Sequence, residues 1–250
     1  MVVAVVATAL AGLLVGSFLN VVAYRLPRGD SLVRPRSRCP HCGTQLRAVD
    51  NIPVVSWLAL RGRCHRCHAA ISARYPLVEL ATGALYAAVV ATQDEAVRIA
   101  LGLLLVTVLV PITLIDFERR IIPNKITGPA AIAALVAIVA LDTGFLAEAV
   151  IAAVAGGGFF FIAAMLYPRG MGMGDVKLAG VLGLYLGRAV APAIFTALIA
   201  GVVVGAAIIA RKGAAEGRKT AVPFGPFLAL GGLVGCFVGQ NLVDAYLDTF

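Results

Sequence analysis

The chain has 250 residues, of which 60% are hydrophobic and 14% charged, with 21 Lys+Arg against 13 Asp+Glu and a net charge of +8. A soluble domain carries about 25% charged residues, so a mean hydropathy of +0.94 leaves little room for a soluble globule. It excludes disorder, which goes with few apolar residues. The 27 glycines suit helices that pack backbone to backbone in a bilayer, and the class implied is an all-α polytopic membrane protein.

A span needs about 20 mostly apolar residues, and fewer where protein shields the helix. Eight segments qualify in chain order, at 3–24, 76–92, 96–115, 127–141, 145–167, 176–187, 189–210 and 222–243, the fourth and sixth being short. The first has no Lys or Arg in Met1–Asn20 and so lacks the basic start of a cleaved signal peptide. Three parts follow: a first transmembrane helix over 1–26, a small loop domain over 27–75 and a transmembrane core over 76–250. With an external N-terminus, the inside loops hold 19 of the 21 basic residues and the outside only Arg98 and Arg188. Positively charged loops stay cytoplasmic, so both termini are expected outside and the long first loop inside. Ten arginines lie between Arg25 and Arg74 without an aromatic ladder, which argues for membrane orientation and anionic lipid rather than nucleic acid.

That loop contains Cys39-Pro-His-Cys42 and Cys64-His-Arg-Cys67, separated by 21 residues. Each C-x-x-C turn offers two thiolates, and two turns complete a tetrahedron around structural zinc. A loop of this size has little core of its own, so a metal would supply much of its folding energy. Disulfides or a redox pair are the alternative, disfavoured in the cytosol. Cys64-His-Arg-Cys67-His68 also matches a haem-attachment string, but beside a second knuckle it reads as zinc. His41, His65 and His68 are expected to be solvated, and Cys236 to be a small apolar residue of the last helix.

Asp94, Glu95, Asp142, Glu148, Asp244 and Asp248 fall at outside turns and read as solvated charge. Asp116 and Asp175 differ. Both sit at the inside boundary, Asp116 at the close of a long apolar run and Asp175 after Gly172-Met173-Gly174. Carboxylates at membrane depth are costly and often functional. The glycines let another backbone or a substrate approach, and a helix beginning near Asp175 aims N–H groups there. The pair reads as an aspartic dyad that activates water. The alternatives are a helix cap at Asp175 with an ion pair of Asp116 to Arg119 or Arg120, or a proton relay in a transporter. No G-x-S-x-G or H-E-x-x-H occurs. Gly156–Gly158, Gly201 and Gly205 read as helix-packing positions.

Several motifs together resemble those of bacterial type IV prepilin peptidases. They are Gly16-Ser-Phe-Leu-Asn20, Arg25-Leu-Pro-Arg-Gly29, Cys39-Pro-His-Cys-Gly43, Asp50-Asn-Ile-Pro-Val-Val-Ser-Trp-Leu58, Arg61-Gly-Arg-Cys64 and Ile71-Ser-Ala-Arg-Tyr-Pro-Leu-Val-Glu79. Gly172-Met-Gly-Asp-Val-Lys-Leu178 is similar to the family's G-x-G-D motif, and Pro223-Phe-Gly-Pro-Phe-Leu228 to its last signature. The resemblance implies a membrane-embedded aspartic endopeptidase that cuts a short basic leader from prepilins after a Gly at the cytoplasmic face, with Asp116 and Asp175 catalytic. It also implies N-methylation of the new terminus with S-adenosylmethionine, because relatives of that kind carry the paired-Cys loop; no motif marks a donor site. The chain departs from many relatives in having Glu118 two positions after the first Asp and Asn124 after Ile-Pro. Asp116 keeps the spacing to Pro123, so it is expected to act rather than Glu118. Glu118 or Glu79 is expected to receive the basic leader. Two rival readings stand beside this one: a proton-coupled transporter, and a non-enzymatic membrane scaffold with a zinc module. The pilin served and the oligomeric state are not legible.

Overall fold

The structure, a computed structural model, describes residues 1–167, 171–213 and 222–249. Gly170 and three of the basic residues counted toward orientation, Arg169, Arg218 and Lys219, lie outside the described residues. Among the described residues the fold is helical, with two isolated β-bridges, Arg38 to Gln45 and Arg63 to Ala70. The chain falls into two compact units, Met1–Asp94 and Glu95–Phe250.

The first unit is a helix pair with a long loop between its members. Helix α1 (Val2–Arg25) and α3 (Arg74–Thr92) pack along their length, and the short α2 (Val55–Ala59) lies in the loop. Glycine sets the crossing. A Cβ on Gly12 would come within 2.8 Å of the Gly83 Cα, and one on Gly16 within 2.9 Å of the Glu79 Cα. Such approach lets two helices gain dispersion contacts where the bilayer supplies no hydrophobic drive between them. Asn20, 5% exposed, donates from Nδ2 to the carbonyls of Gly16 and Tyr75, each at 3.3 Å. A buried amide with partners is stabilising where an orphaned one would be costly.

The second unit holds α4 (Ala96–Arg119), α5 (Asn124–Leu141), α6 (Leu146–Leu166), α7 (Met173–Leu186), α8 (Val190–Lys212) and α9 (Gly225–Leu247), the last with a π-turn over Gly235–Gly239. Its core is built from Leu101, Leu105, Leu109 and Ile112 of α4, Phe160 of α6, Leu178 and Leu182 of α7 and Leu228 of α9. Val202 and Val203 instead lie exposed on α8, as expected of a face turned to lipid tails. Helices α6 and α7 pack closely, with Gly157 facing Gly180, and the Tyr185 hydroxyl donates to the Ala130 carbonyl at 2.8 Å, tying α7 to α5.

The eight apolar segments of the sequence correspond to α1 and α3–α9. Seven continuous stretches are long and apolar enough to cross a membrane, because α7 and α8 together form one of 40 residues, Met173–Lys212. The helix breaks inside it at Gly187, whose φ of 57° lies in the left-handed region. Helix α4 runs on to Arg119, so Asp116 sits inside its last turn rather than after it. Glu148 is not plain solvated charge: its Oε1 accepts the Arg188 amide at 2.8 Å, tying α6 to the break after α7. Asp244 is paired as well, 3.0 Å from the Arg188 guanidinium.

Candidate active site and metal centre

In the first unit the loop makes two equivalent knuckles. The Cys39 amide donates to the Thr44 carbonyl at 2.9 Å, and the Cys64 amide to the Ala69 carbonyl at 2.9 Å. The Gly43 amide returns to the Cys39 carbonyl, and that of His68 to Cys64. Gly43 and His68 both have positive φ, at 68° and 55°, so each chain reverses at the same place. The four sulfurs lie within 4.8 Å of one another, with Cys39–Cys67 at 3.8 Å and Cys42–Cys64 at 4.0 Å. A tetrahedral zinc with Zn–S near 2.3 Å has sulfur–sulfur edges of about 3.8 Å. The donor set therefore fits zinc, with Cys39, Cys42, Cys64 and Cys67 as its holders. Hydrogen bonds with Thr44 hold the Cys42 thiol at about 6, whereas Cys67, against the Ala69 amide, is pushed up to about 11 by desolvation and the neighbouring sulfurs, so holding all four as thiolates calls for the charge of a metal.

Polar contacts brace this module. Asp50 Oδ2 accepts from the Arg47 amide and Nε, each at 3.0 Å, and His65 Nδ1 lies 3.2 Å from the same carboxylate. The Arg47 hydrogen bonds hold Asp50 at about 2. His65 is thus a partner of Asp50 and not a freely solvated ring, whereas His41 and His68 are exposed. Glu79, 8% exposed, accepts the Val54 amide at 2.7 Å, at a residue whose φ of 61° is unusual for a β-branched side chain. Glu79 therefore pins the loop to α3.

In the second unit four chain segments converge at one end of the helices. Asp116, 4% exposed, presents Oδ2 to the Gly225 amide at 2.9 Å. Gly225 opens α9, so this N–H is one that the helix itself leaves without a partner. Glycine is needed for the approach: a Cβ at this position would lie 2.7 Å from the Asp116 Oδ2. Asp175 is the third residue of α7, and its Oδ2 accepts the Gly172 amide at 3.2 Å. Asp116 thus closes α4 and Asp175 opens α7 at the same end of the second unit, where α4 and α7 are in contact.

The loop after α4 lies against the start of α7. A Cβ on Gly174 would come within 2.9 Å of the Ile122 Cβ, so the second glycine of the G-x-G-D stretch lets the chain after α4 lie against α7. Lys177 Nζ donates to Asn124 Oδ1 at 3.0 Å, joining the starts of α5 and α7. Glu118 is exposed two positions from the buried Asp116.

Two carboxyls at the end of α4 and the start of α7, each held by a backbone amide, and a separate four-cysteine module define a class of polytopic membrane protein with an acidic centre. The chain belongs to the type IV leader peptidase family, which matches residues 103–209; the bacterial peptidase A24 N-terminal domain matches residues 10–93. It is 37% identical to the prepilin leader peptidase/N-methyltransferase of Aeromonas hydrophila over 95% of this chain and 92% of that protein. It is 38% identical to the one of Burkholderia pseudomallei strain 1026b, over 91% of this chain and 83% of that protein. The Neisseria gonorrhoeae relative is 40% identical over 92% of this chain and 89% of its own length. No solved structure matches. Family membership carries the sequence expectation of a membrane enzyme and leaves no ground for the transporter and scaffold readings. The sequence reading missed Gly225 as a partner of Asp116; its signal was a glycine beside a proline at the opening of a helix.

Proposed function

We propose that this chain is a membrane aspartic endopeptidase that removes the basic leader of prepilin-like substrates after a Gly, with Asp116 and Asp175 as its catalytic pair. The observation that carries this reading is the buried Asp116 carboxyl, fixed by the Gly225 amide at 2.9 Å at the end of α4, on the side of the helices where α7 begins with Asp175. One carboxylate takes a proton from water as the oxygen attacks the scissile carbonyl carbon. The other carboxyl gives its proton to the carbonyl oxygen. The tetrahedral diol then collapses, the C–N bond breaks, and the leaving amine takes a proton back. Gly225 and Gly172 supply amides that hold the carboxyls in place, which is the preorganisation such a reaction needs.

The relatives' names and the paired-cysteine loop support a second step, methylation of the freed amine with S-adenosylmethionine as methyl donor. In this reading zinc on Cys39, Cys42, Cys64 and Cys67 folds the loop and takes no part in bond breaking. The excess of basic residues in the inside loops supports a Cys module and dyad at the cytoplasmic face of the inner membrane, with both termini outside. A prepilin whose apolar helix lies in the bilayer and whose leader is cytosolic then presents its cleavage site at the level of the dyad.

The test is co-expression with a prepilin, scored by the gel shift of leader loss. Wild type and Glu118→Gln cleave, whereas Asp116→Asn and Asp175→Asn do not. Processing by both Asn variants would end the peptidase reading. A reporter fused after Phe250 that proved cytoplasmic would refute the count of eight crossings.

A further inference from the structure

We propose that a cavity between α1 and the cysteine loop is a binding site for one anionic phospholipid. The cavity measures about 370 Å³ and is walled by first-unit residues alone. On α1 its wall is the stripe Leu14, Phe18, Val21 and Arg25, and the loop adds Arg36 and Arg47. This stripe is opposite the one that packs on α3, where Gly12, Gly16, Leu19 and Ala23 are buried. Leu14 and Phe18 remain 63% and 50% exposed, and they lie within an apolar stretch fit to cross a membrane.

One end of this wall is apolar and the other basic. The Arg25 guanidinium donates to the Ser31 and Pro35 carbonyls at 2.9 and 2.8 Å, neutral acceptors that fix its position and leave its charge uncompensated. Arg47 is paired with Asp50, but Arg36 makes no ion pair among the described residues. No acidic side chain lines the cavity, so it is poorly matched to a cationic ligand such as a sulfonium or an amine. From Leu14 to Arg25 the helix rises about 16 Å, close to half of a hydrocarbon core of about 30 Å. A ligand with a negative head and a tail one leaflet long fills both ends, and a free phosphate would leave the apolar wall bare. Anionic lipid is enriched in the cytoplasmic leaflet, the one in which Arg25 is proposed to lie.

The experiment uses the full chain in nanodiscs of mixed phosphatidylglycerol and phosphatidylcholine, with retained lipid counted by native mass spectrometry. Wild type is expected to keep one phosphatidylglycerol per chain, in preference to phosphatidylcholine. Arg36→Gln should weaken retention about fivefold, the effect of one basic side chain at an anionic surface. Leu14→Trp should expel the lipid by filling the apolar end, while Lys212→Gln, at the end of α8, should change nothing. Bound zinc reports that each variant has kept its loop fold. Full retention by zinc-loaded Arg36→Gln, equal retention of the two lipids, or displacement by inorganic phosphate or S-adenosylmethionine would overturn the proposal. A phosphatidylglycerol with a photoreactive group in its tail gives a readout on wild type alone. Labelling within residues 14–21 supports the site, and labelling confined to other helices refutes it.

Discussion

Replacing Gly225 with alanine separates the role of the glycine in the site from its role in the helix. Its φ is not in the left-handed region, but Pro226 follows it, and a Cβ before proline crowds the ring in the helical region. Alanine's advantage of about 0.5–1 kcal/mol over glycine belongs to helix interiors, and at this first, pre-proline position it is offset, so on local grounds the variant's stability should stay within about 1 kcal/mol. The new Cβ, however, would lie 2.7 Å from the Asp116 Oδ2 and 3.1 Å from its Cγ, closer than nonbonded atoms allow. The carboxyl or the start of α9 must move, and the 2.9 Å amide bond is lost or stretched. A hydrogen bond to a charged group contributes about 1.5–3 kcal/mol, which converts to a loss of roughly 10- to 100-fold in kcat/KM. Purified Gly225→Ala should therefore cleave prepilin 10- to 100-fold more slowly while its thermal unfolding midpoint changes by only a few degrees. Cleavage within twofold of wild type would refute the claim that this amide positions Asp116. A parallel fall in stability would show that the glycine serves packing instead.

Other substitutions probe the neighbouring contacts. Gly174→Ala forces a Cβ to within 2.9 Å of the Ile122 Cβ and should lower cleavage by about tenfold or more, in line with the cost of small misplacements at a reacting centre. Ile122→Gly should restore part of that loss and Ile122→Ala should not, because alanine retains the offending Cβ; equal rescue by both would refute the assignment. Metal analysis should find one zinc per chain, and Cys39→Ser should bind none and expose the loop between α1 and α3 to protease. Intact protection in the zinc-free variant would show that the loop folds without metal. Glu79→Ala leaves the Val54 amide without its acceptor and should destabilise the loop by about 1–3 kcal/mol, while Glu79→Gln, which keeps a carbonyl oxygen, should cost less. Hydrogen exchange at the Val54 amide reads the difference.

What the sequence disclosed followed from local rules. Apolar runs of the right length mark α1 and α3–α9, and even the break between α7 and α8 was legible, because Gly187 and Arg188 interrupt the run. The knuckles were legible because C-x-x-C geometry lies within a few residues, and the repeated hydrogen bonds at Cys39 and Cys64 bear out their equivalence. Asp116 and Asp175 stood out as carboxyls at membrane depth. The sequence was silent where meaning depends on a partner far along the chain. Gly225 and Asp116 are 109 positions apart, and the Glu148 carboxylate meets the Arg188 amide across 40. Neither pairing has a periodicity or composition to announce it. Glu79 illustrates the same limit. With Glu118 it was read only as a residue to receive a basic leader, and nothing in the sequence announced that one of its oxygens accepts the Val54 amide at 2.7 Å, 25 positions away.

Holding a carboxyl by a backbone amide suits a group that exchanges protons. An N–H can donate to a carboxylate oxygen or to the carbonyl oxygen of the protonated acid, so the geometry survives a change of protonation state; an ion pair with arginine would not persist in the same way. If this is how Asp116 is used, position should matter as much as charge. Asp116→Glu retains an acid of similar strength but moves the carboxyl outward by one methylene, about 1.5 Å. With Gly225 fixed at the opening of α9, the longer side chain cannot keep both its amide contact and its place beside Asp175. A misplacement of about 1 Å costs on the order of 100-fold, so Asp116→Glu should be nearly as slow as Asp116→Asn in a single-turnover cleavage assay. If it instead cleaved within tenfold of wild type, any acid at this end of the helices would suffice, and the amide-held geometry would have no part in the rate.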